Sequence, residues 1–463
     1  MIEAVALDLG STTIKAALMD HQGNLSRLTS KPAPTTENHD GRYECSALDY
    51  VETAELVLKA CIGQMSGKPP LGICCQRSSF LIWNRATGTP LTPLISWQDD
   101  RGASSCERLQ PSADIIGGLT GLRLTPYYFA PKLNAMLRQN PNWYEKLVRG
   151  EWLVGTLDTF LIWRWTREQH FIVDASMAAR MLLMDIHTQQ WSEALCDLFE
   201  IPSSILPRIV PSMKLSMRLI NGLTLQASVG DQSAALLASL GNNPTEALVN
   251  LGTGGFVIRT LAKGESAFDG YLQTLIYQND KLQARFAVEG TINSIAAALA
   301  PYPVNDCHVE DLAQLDIYCL AEPSGLGAPY FRADWGIHFS QSIADLNSHQ
   351  IAALLLEAII FRVVRMLEKF HQHAAISQVF LSGGLSALSC LQSGIAQCVS
   401  LPVYHLEQQE ASLQGAALLA ADLRITYRRK ARRIEANPAN IRLMEKYRRW
   451  RIWLDAILKT DQC

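Results

Sequence analysis

One carboxylate in this sequence stands where metal and phosphate chemistry could occur. Asp8 ends a strand-like run, residues 4–7, and precedes the small, hydroxyl-bearing turn Gly10-Ser11-Thr12-Thr13. The N–H groups and hydroxyls of such a turn can donate hydrogen bonds to phosphate oxygens, and Lys15 adds a cation. The Asp8 carboxylate is a hard oxygen ligand of the kind that Mg²⁺ prefers. We therefore predict a metal ligand at Asp8 and a phosphate turn at Gly10, Ser11, Thr12, Thr13 and Lys15.

Two further glycine-rich turns have a similar character. Gly252-Thr253-Gly254-Gly255 offers donors but no carboxylate, so it is expected to contact phosphate rather than metal. Ser382-Gly383-Gly384 lies between a strand-like run and a helix expected to begin near Leu388, where close backbone approach suits a flat nucleoside. Taken singly, each turn is more often structural, because glycine in a turn commonly reflects only a positive φ. Together they predict an ATP site that includes Gly252, Thr253, Gly254, Gly383 and Gly384.

The elements that must position these turns repeat along the chain. Residues 4–7 and 14–18 are predicted to form two strands joined by a tight turn, a β-hairpin rather than a strand-to-helix phosphate loop. The same design recurs at residues 247–258, which predicts two related domains that face one another across a central cleft. The remainder alternates strand-like runs with amphipathic helices, including one over residues 351–370, as in an α/β protein.

The length of the chain predicts more than one domain. Its 463 residues are too many for one hydrophobic core. We place an N-terminal domain, with the first phosphate turn, at residues 1–240, and a C-terminal, nucleotide-side domain at residues 241–425. Residues 426–463 are predicted to form a basic helical tail that includes Arg428-Arg429-Lys430. The helical spacing of Trp450, Trp453 and Leu454 favours a solvated helix docked by one face over a nucleic-acid patch.

Bulk composition excludes several classes of partner. Hydrophobic residues make up 48% of the chain, charged residues 18%, and the formal net charge is -3. Such a folded protein has no global basic field, so neither nucleic acid nor a membrane surface is an expected partner. The eleven cysteines are scattered without CxxC spacing and are expected to be reduced. The first 18 residues resemble neither a signal peptide nor a membrane span, and we expect a cytoplasmic protein.

The segments between the three turns are similar to those of a known family. The most informative are Gln76-Arg77, Trp97-Gln98, residues 155–163, Asp174-Ala175-Ser176, Arg180-Met181-Leu182, Gly230-Asp231-Gln232 and residues 325–330. In this order the turns resemble the actin-like ATPase superfamily, and the intervening segments resemble its FGGY carbohydrate kinases, glycerol kinase in particular. The similarity runs over almost the whole chain, and its combined order is not a chance pattern.

The resemblance implies a fold and an activity. The fold is α/β, with two ribonuclease-H-like (actin-like ATPase) domains whose central cleft receives nucleotide and substrate. The activity is transfer of phosphate from ATP, with Mg²⁺, to a hydroxyl of a small sugar or polyol. The family's catalytic base corresponds to Asp231, and a fixed carboxylate can accept the proton that the hydroxyl loses. Without the resemblance, an N-cap for the apolar run 234–240 is the more ordinary interpretation of Asp231, and the two roles are compatible.

The substrate pocket maps onto the family less cleanly. The residues assigned to it by resemblance are Arg77, Ser78, Trp97, Tyr127, Asp231 and Gln232. Glycerol kinase has Glu after the arginine, and a Glu that accepts two hydroxyl protons is not replaced by Ser78 without weakening that grip. A strand-end ion pair for Arg77 and a core aromatic for Trp97 are the alternatives.

Other departures bear on the substrate. Ala135 stands where the family signature usually has Trp, and Ser382 stands where glycerol kinase has Asp before the glycine pair. The run Ala130-Pro131-Lys132-Leu133 resembles the ketopentose kinases instead, so a ketopentose or similar substrate is expected rather than glycerol. Two rivals remain open, a non-catalytic sugar- or ATP-binding sensor and a chaperone-type ATPase; the presence of both Asp8 and Asp231 argues against the sensor. A homodimer is an assembly that the resemblance allows.

Overall fold

The structure is a computed structural model that describes residues 2–63, 65, 67–407, 409–424, 429–436 and 441–460. It divides into two compact units, and both are discontinuous in sequence. The first comprises Met1–Gly241, Gln273–Phe286 and Glu410–Arg428, and the second comprises Asn242–Leu272, Ala287–Gln409 and Arg429–Cys463. The units differ from the three consecutive segments predicted above, because the chain returns to the first unit after residue 409. The predicted boundary at 425/426 and Arg428 lie outside the described residues.

Up to residue 240, the described strands form a six-stranded sheet, a separate five-stranded sheet and two two-stranded sheets, with helices between them. The strands are β1 (Ile2–Leu9), β2 (Thr13–Asp20), β3 (Leu25–Pro32), β4 (Glu37–His39), β5 (Arg42–Cys45), β6 (Leu71–Cys75), β7 (Phe80–Asn84), β8 (Leu94–Ile95), β9 (Trp152–Thr156), β10 (Ile172–Asp174), β11 (Met184–Asp185), β12 (Gln190–Trp191), β13 (Arg208–Val210), β14 (Met213–Arg218) and β15 (Thr224–Gly230). The helices are α1 (Ala47–Ile62), α2 (Ala103–Leu109), α3 (Ala113–Thr120), α4 (Phe129–Gln139), α5 (Pro141–Val148), α6 (Leu157–Trp165), α7 (Ala175–Ala178), α8 (Glu193–Leu198) and α9 (Asp231–Leu240).

The large sheet of the first unit has the strand order β14-β15-β6-β1-β2-β3. Strand β2 runs antiparallel to both β1 and β3, which confirms the predicted hairpin around Gly10. Strands β6 and β15 continue the sheet in parallel with β1, and β1 and β6 are apolar along most of their length, as expected of strands buried on both faces. Because β1, β6 and β15 are parallel, their carboxyl ends share one edge of the sheet.

After residue 240, most of the described strands form a second large sheet, and two short strands form a separate two-stranded sheet. The strands are β16 (Glu246–Leu251), β17 (Gly255–Thr260), β18 (Leu272–Gln278), β19 (Ala284–Ile292), β20 (Cys319–Leu320), β21 (His338–Phe339), β22 (Gln378–Ser382), β23 (Val403–Leu406) and β24 (Ala431–Ile434). The helices are α10 (Ile295–Leu299), α11 (Ser348–His373), α12 (Ser389–Cys398), α13 (Ala411–Ala420) and α14 (Ile441–Thr460). No helix within the described ranges is long and apolar enough to cross a lipid bilayer.

The second sheet repeats the topology of the first. Its order is β18-β19-β17-β16-β22-β23-β24. Strand β17 runs antiparallel to β16 and β19, while β22 and β23 continue in parallel with β16. The series β19-β17-β16-β22-β23 therefore matches β3-β2-β1-β6-β15 in order and direction. This confirms the predicted α/β fold with two ribonuclease-H-like domains.

Small residues let helix α13 lie directly against the first sheet. A Cβ atom on Gly415 of α13 would overlap the carbonyl oxygen of Ala234 in α9, and one on Gly72 of β6 would overlap that of Ala416. These contacts explain why residues 412–421 are mostly small and apolar. Helix α9, which begins at Asp231, thereby packs closely against α13.

The basic segment at the end of the chain is an integral part of the second unit. Its first part is the strand β24, which pairs antiparallel with β23, rather than a helix. Its second part, α14, buries Leu443, Tyr447, Trp450 and Leu454, and the Trp450 indole donates a hydrogen bond of 2.9 Å to the carbonyl of Cys319. The helix therefore docks by one apolar face, as its spacing predicted, with most of its arginines on the other side.

Candidate active site

Two of the predicted site residues meet at the carboxyl edge of the first sheet. Arg77 follows β6 and Asp231 follows β15, and the two strands are neighbours with Cys75 opposite Gly230. The Arg77 Nε atom lies 3.7 Å from Asp231 Oδ1, and an Arg77 Nη2 atom donates to the side-chain oxygen of Gln232. The parallel strands thus bring Arg77 beside Asp231 and Gln232, which are far from it in the sequence.

Asp231 is the first residue of α9 rather than its cap. The N-cap position is occupied by Gly230, and Asp231 Oδ1 accepts a hydrogen bond of 2.7 Å from the Gln232 backbone N–H. The side chain remains 28% exposed, so a ligand can reach it. Burial raises the pKa of Asp231 above its usual range, while the charges of Arg77 and Arg180 lower it. The carboxylate is therefore a stronger base than a solvated aspartate and has a guanidinium beside it.

Asp8 lies at the end of β1, next to β6, with Cys74 as its neighbour in register. Burial and, after it, the negative charge of Asp231 raise the pKa of Asp8 to about 7. Its Oδ1 atom is buried and has no hydrogen-bond partner among the described residues. A buried carboxylate oxygen without a donor fits a hard cation such as Mg²⁺.

The predicted phosphate turn connects β1 to β2. A Cβ atom on Gly10 would overlap the carbonyl oxygen of Thr13, so the turn is closed tightly at glycine. Ser11 and Thr13 are half-buried and Thr12 is exposed, which leaves their donors accessible. Lys15, in contrast, already has a partner: its ammonium lies 2.9 Å from both carboxylate oxygens of Glu410.

Ser78 adopts a backbone conformation that directs its side chain away from solvent. Its φ is 63°, and its hydroxyl donates a hydrogen bond of 3.1 Å to the carbonyl of Arg180. Its own carbonyl accepts a hydrogen bond of 3.0 Å from the Lys132 ammonium, which also donates to the Ser96 carbonyl at 2.7 Å. Burial lowers the pKa of Lys132 to about 7. These bonds fix the chain around Ser78, and its contact with a substrate stays a prediction.

Two aromatic side chains near this edge face solvent. Trp97 is 40% exposed and Tyr127 51% exposed, and their ring centroids lie 6.5 Å apart with planes inclined by 59°. Trp97 is therefore not a core aromatic, which was the alternative interpretation of its position. Exposed aromatic rings of this kind can cover the carbon chain of a small polyhydroxylated molecule.

In the second unit, the two other glycine-rich turns lie side by side. Strands β16 and β22 are parallel neighbours, with Asn250 opposite Ser382, so Gly252 and Gly383 follow adjacent strand ends. Gly383 has a φ of 89°, and a Cβ atom there would overlap Leu251 and Asn250. A short 3₁₀ turn and then α12, which begins at Ser389, follow Gly383, close to the predicted helix start at Leu388.

The Gly252 turn itself is closed by backbone bonds. The Gly252 N–H donates to the carbonyl of Gly254 at 2.9 Å, and the Thr253 carbonyl accepts from Ala296 at 3.1 Å. The structure therefore brings Gly252, Thr253, Gly254, Gly383 and Gly384 to one edge of the second sheet.

Arg180 and Lys132 support the site through buried contacts, and neither was predicted as a site residue from the sequence. Arg180 lowers the pKa of Asp231 and donates a hydrogen bond of 2.7 Å to the Thr274 hydroxyl. A charged residue inside the apolar stretch around Met181 was the available signal for it. Lys132 was noted only as part of a signature, although a lysine within an apolar helix also needs buried partners.

Two sheets of one topology, with Asp8 and Asp231 at the carboxyl edge of the first and glycine-rich turns at the edge of the second, define a two-domain phosphotransferase of the actin-like fold. Family comparison agrees over most of the chain. The FGGY family of carbohydrate kinases matches with its N-terminal domain at residues 3–230 and its C-terminal domain at residues 247–422. The chain belongs to this family and is an ATP-dependent carbohydrate kinase.

Individual relatives support the same conclusion. The chain is 30% identical to an apulose kinase of Pectobacterium atrosepticum, with 96% of each chain covered. It is 29% identical to a glycerol kinase of Saccharolobus islandicus over 90% of this chain and 87% of the other. In fold it is similar to the ADP-bound glycerol kinase of Plasmodium falciparum, with a TM-score of 0.86 at 21% identity over 99% of this chain and 98% of the other.

Proposed function

We propose that this kinase transfers the γ-phosphoryl group of Mg·ATP to a hydroxyl of a small ketose, a ketopentose or a close relative, rather than to glycerol. The observation that carries the proposal is the Arg77–Asp231 pair at the carboxyl edge of the first sheet. A half-buried carboxylate with a raised pKa can accept the hydroxyl proton as the phosphoryl group arrives. The positive charge of the neighbouring Arg77 guanidinium favours the ionised form of that carboxylate.

The first unit is proposed to orient the sugar. Arg77 and Gln232 supply hydrogen bonds on either side of Asp231, and the rings of Trp97 and Tyr127 cover the carbon chain. Such positioning matters because phosphoryl transfer depends chiefly on geometry and on charge stabilisation.

Phosphate binding is assigned to the glycine turns. In the first unit, the N–H groups and hydroxyls of Gly10, Ser11, Thr12 and Thr13 would receive phosphate oxygens. In the second unit, the turn at Gly252, Thr253 and Gly254 would do the same, and Gly383 and Gly384 would allow close approach of the nucleoside. Lys15 is paired with Glu410, so we propose that it orders the first turn and contributes charge at longer range.

Asp8 is the proposed protein ligand for Mg²⁺. Within the described residues, no group of three or more acidic, histidine or cysteine side chains lies together as a metal site. The ion would therefore take its other ligands from phosphate and water, which is the usual arrangement for magnesium beside a nucleotide. When bound, it would neutralise charge on the transferring phosphoryl group.

The substrate assignment rests on the residues that differ from glycerol kinase. The Ser78 hydroxyl is used by the Arg180 carbonyl, so position 78 offers no acceptor comparable to a glutamate. In the comparison by sequence, the apulose kinase of Pectobacterium atrosepticum covers 96% of this chain and the glycerol kinase of Saccharolobus islandicus covers 90%. Both observations favour a sugar over glycerol.

Release of ADP from Mg·ATP tests the proposal. The acceptors are apulose, D-ribulose, L-ribulose, D-xylulose, ribitol, erythritol, gluconate and glycerol, each with wild-type protein and with Asp231→Asn. Turnover with a ketose that disappears in Asp231→Asn supports the proposal. Preference for glycerol would overturn the substrate assignment, and unchanged turnover in the variant would overturn the role of Asp231.

Two further expectations concern the cellular form of the enzyme. The cysteines within the described residues are free, and most are buried, which suits a reducing compartment such as the cytoplasm. The homodimer is supported only by the resemblance, and sedimentation of the purified protein tests it.

A further inference from the structure

A chain of hydrogen bonds runs through the interior of the first unit from Trp97 to Gly10. The Trp97 backbone N–H donates to the Ser79 hydroxyl at 3.0 Å, and that hydroxyl donates to Gln76 Oε1 at 3.0 Å. Gln76 Nε2 donates to the Tyr50 hydroxyl at 3.4 Å, and the Tyr50 hydroxyl donates to the Gly10 carbonyl at 2.6 Å. Residues from four separate parts of the sequence thus form one continuous path.

All four bonds point the same way along this path. The three side chains in the middle, Tyr50, Gln76 and Ser79, each accept one hydrogen bond and donate the next. They are also buried, with exposures of 1%, 5% and 0%. Bonds aligned in this way polarise one another, and at buried positions a broken link removes the partner of a polar atom that is shielded from bulk solvent.

The two ends of the chain have proposed ligands. Gly10 opens the turn proposed to bind phosphate, and Trp97 carries the ring proposed to cover the sugar. The path also passes through Gln76, the residue directly before Arg77. At the sugar end the backbone is held a second time, because Lys132 binds the carbonyls of Ser78 and Ser96, the residues that precede Ser79 and Trp97.

We propose that Tyr50, Gln76 and Ser79 are positioning residues that couple the phosphate turn to the sugar site. None of them needs to touch either ligand: the chain fixes the Gly10 carbonyl relative to the Trp97 backbone, so each ligand finds its site in the conformation that the other requires. This inference rests on the proposed function, since it takes the phosphate turn and the sugar ring as given. Coupling of this kind is reciprocal, so a broken link should weaken both ligands.

For each variant, the test measures the KM of the ligand that is proposed to bind at the other end of the hydrogen-bond chain. Tyr50→Phe removes the bond to Gly10 and should raise the KM for the sugar. Ser79→Ala removes the bond to the Trp97 N–H and should raise the KM for ATP. We expect increases of about three- to tenfold, the range for loss of one buried hydrogen bond. In the double variant both KM values should stay near those of the worse single variant, because either change already breaks the path.

Two control variants remove buried hydroxyls that are not part of this chain of hydrogen bonds. Thr166→Ala deletes a hydroxyl that donates to the Ile162 carbonyl at 2.7 Å, and Tyr447→Phe deletes one that donates to Glu368 at 2.6 Å. Both are expected to lower Tm while leaving the two KM values unchanged. If the Tyr50 and Ser79 variants behave like these controls, their role is only structural and the inference is wrong.

Other outcomes separate this inference from the proposed function. If each variant raises only the KM of the ligand at its own end of the hydrogen-bond chain, the chain does not couple the two sites. The same conclusion follows if the two increases in KM multiply in the double variant. Should the wild-type protein phosphorylate none of the sugars, the proposed substrate fails. Calorimetric binding of Mg·ATP without sugar still tests the coupling then, because Ser79→Ala must weaken it. If Ser79→Ala does not fold, the KM for sugar of the conservative Tyr50→Phe variant decides alone.

Discussion

The Arg77 Nε atom lies 3.7 Å from Asp231 Oδ1, just beyond the carboxyl ends of two adjacent parallel strands. The two residues are 154 positions apart in the sequence. They become neighbours because strands β6 and β15, which precede them, lie side by side in the sheet. A cation at this distance favours the ionised form of the carboxyl group, whereas burial disfavours it. The balance leaves a carboxylate that can take up a proton during the reaction.

Replacing Asp231 by asparagine should remove the base and retain the shape of the site. We expect kcat to fall by about 10² to 10⁴-fold, the usual contribution of a positioned general base. The KM for ATP should change little, because the phosphate turns are not altered. Steady-state kinetics measures both values. Asp114→Asn is the matched control, since Asp114 is also an acidic residue in the first turn of a helix, α3, and is exposed. Full activity of the Asp231→Asn variant would contradict the assignment of Asp231 as the base.

The pH dependence of the reaction should report the Arg77–Asp231 pair. A protonated Asp231 cannot accept the hydroxyl proton, so kcat/KM should fall as the pH drops through the pKa of this group. Removing the positive charge in Arg77→Gln raises that pKa further, and the acidic limb of the profile should move to higher pH. Arg138→Gln, which breaks an exposed ion pair with Glu200, should leave the limb in place. A limb that stays put or moves to lower pH in Arg77→Gln would contradict the assignment.

The exposed ring of Trp97 gives a prediction for sugar binding. Trp97→Ala should raise the KM for the sugar by about three- to tenfold, the loss expected for one aromatic contact. The KM for ATP should rise less, since the backbone N–H that bonds to Ser79 remains. Tyr144→Ala is the control, because Tyr144 is 41% exposed in the same unit but on α5. Equal effects of the two variants on sugar binding would remove Trp97 from the site.

Local signals in the sequence were sufficient for the parts of the site that one segment builds. The turn at Gly10–Thr13 and the turn at Gly252 were predicted because a hairpin with small residues needs only neighbouring positions. Asp231 was predicted from the Gly230-Asp231-Gln232 motif that it shares with the family, and not from the residues that surround it in the fold. Its pairing with Arg77 depends on strand order, which no short stretch of sequence encodes.

Long-range packing decided what the sequence analysis did not predict. Lys15 is paired with Glu410, 395 positions away, because the chain returns to the first unit after crossing the second. The hydroxyl of Ser78 turns toward Arg180 because the backbone at Ser78 has a positive φ, a conformation that serine does not signal. The basic segment after residue 428 includes the strand β24, which pairs with β23 in the second sheet; the helical spacing of Trp450, Trp453 and Leu454 predicted only the helix that follows it.

The glycine at position 383 gives a final prediction, for nucleotide binding in the second unit. Its φ is 89°, and a Cβ atom would overlap the Leu251 carbonyl next to the Gly252 turn, so Gly383→Ala must displace one strand end from the other. We expect Gly383→Ala to weaken ADP binding at least tenfold, about 1.4 kcal/mol. Gly264→Ala is the control for backbone strain alone. Gly264 has a φ of 84°, close to that of Gly383, but an added Cβ atom there would have nothing within 4 Å. Calorimetry with ADP and the Tm of both variants measure the difference: loss of affinity confined to Gly383→Ala supports a nucleotide site at this edge, and equal affinity in the two variants contradicts it.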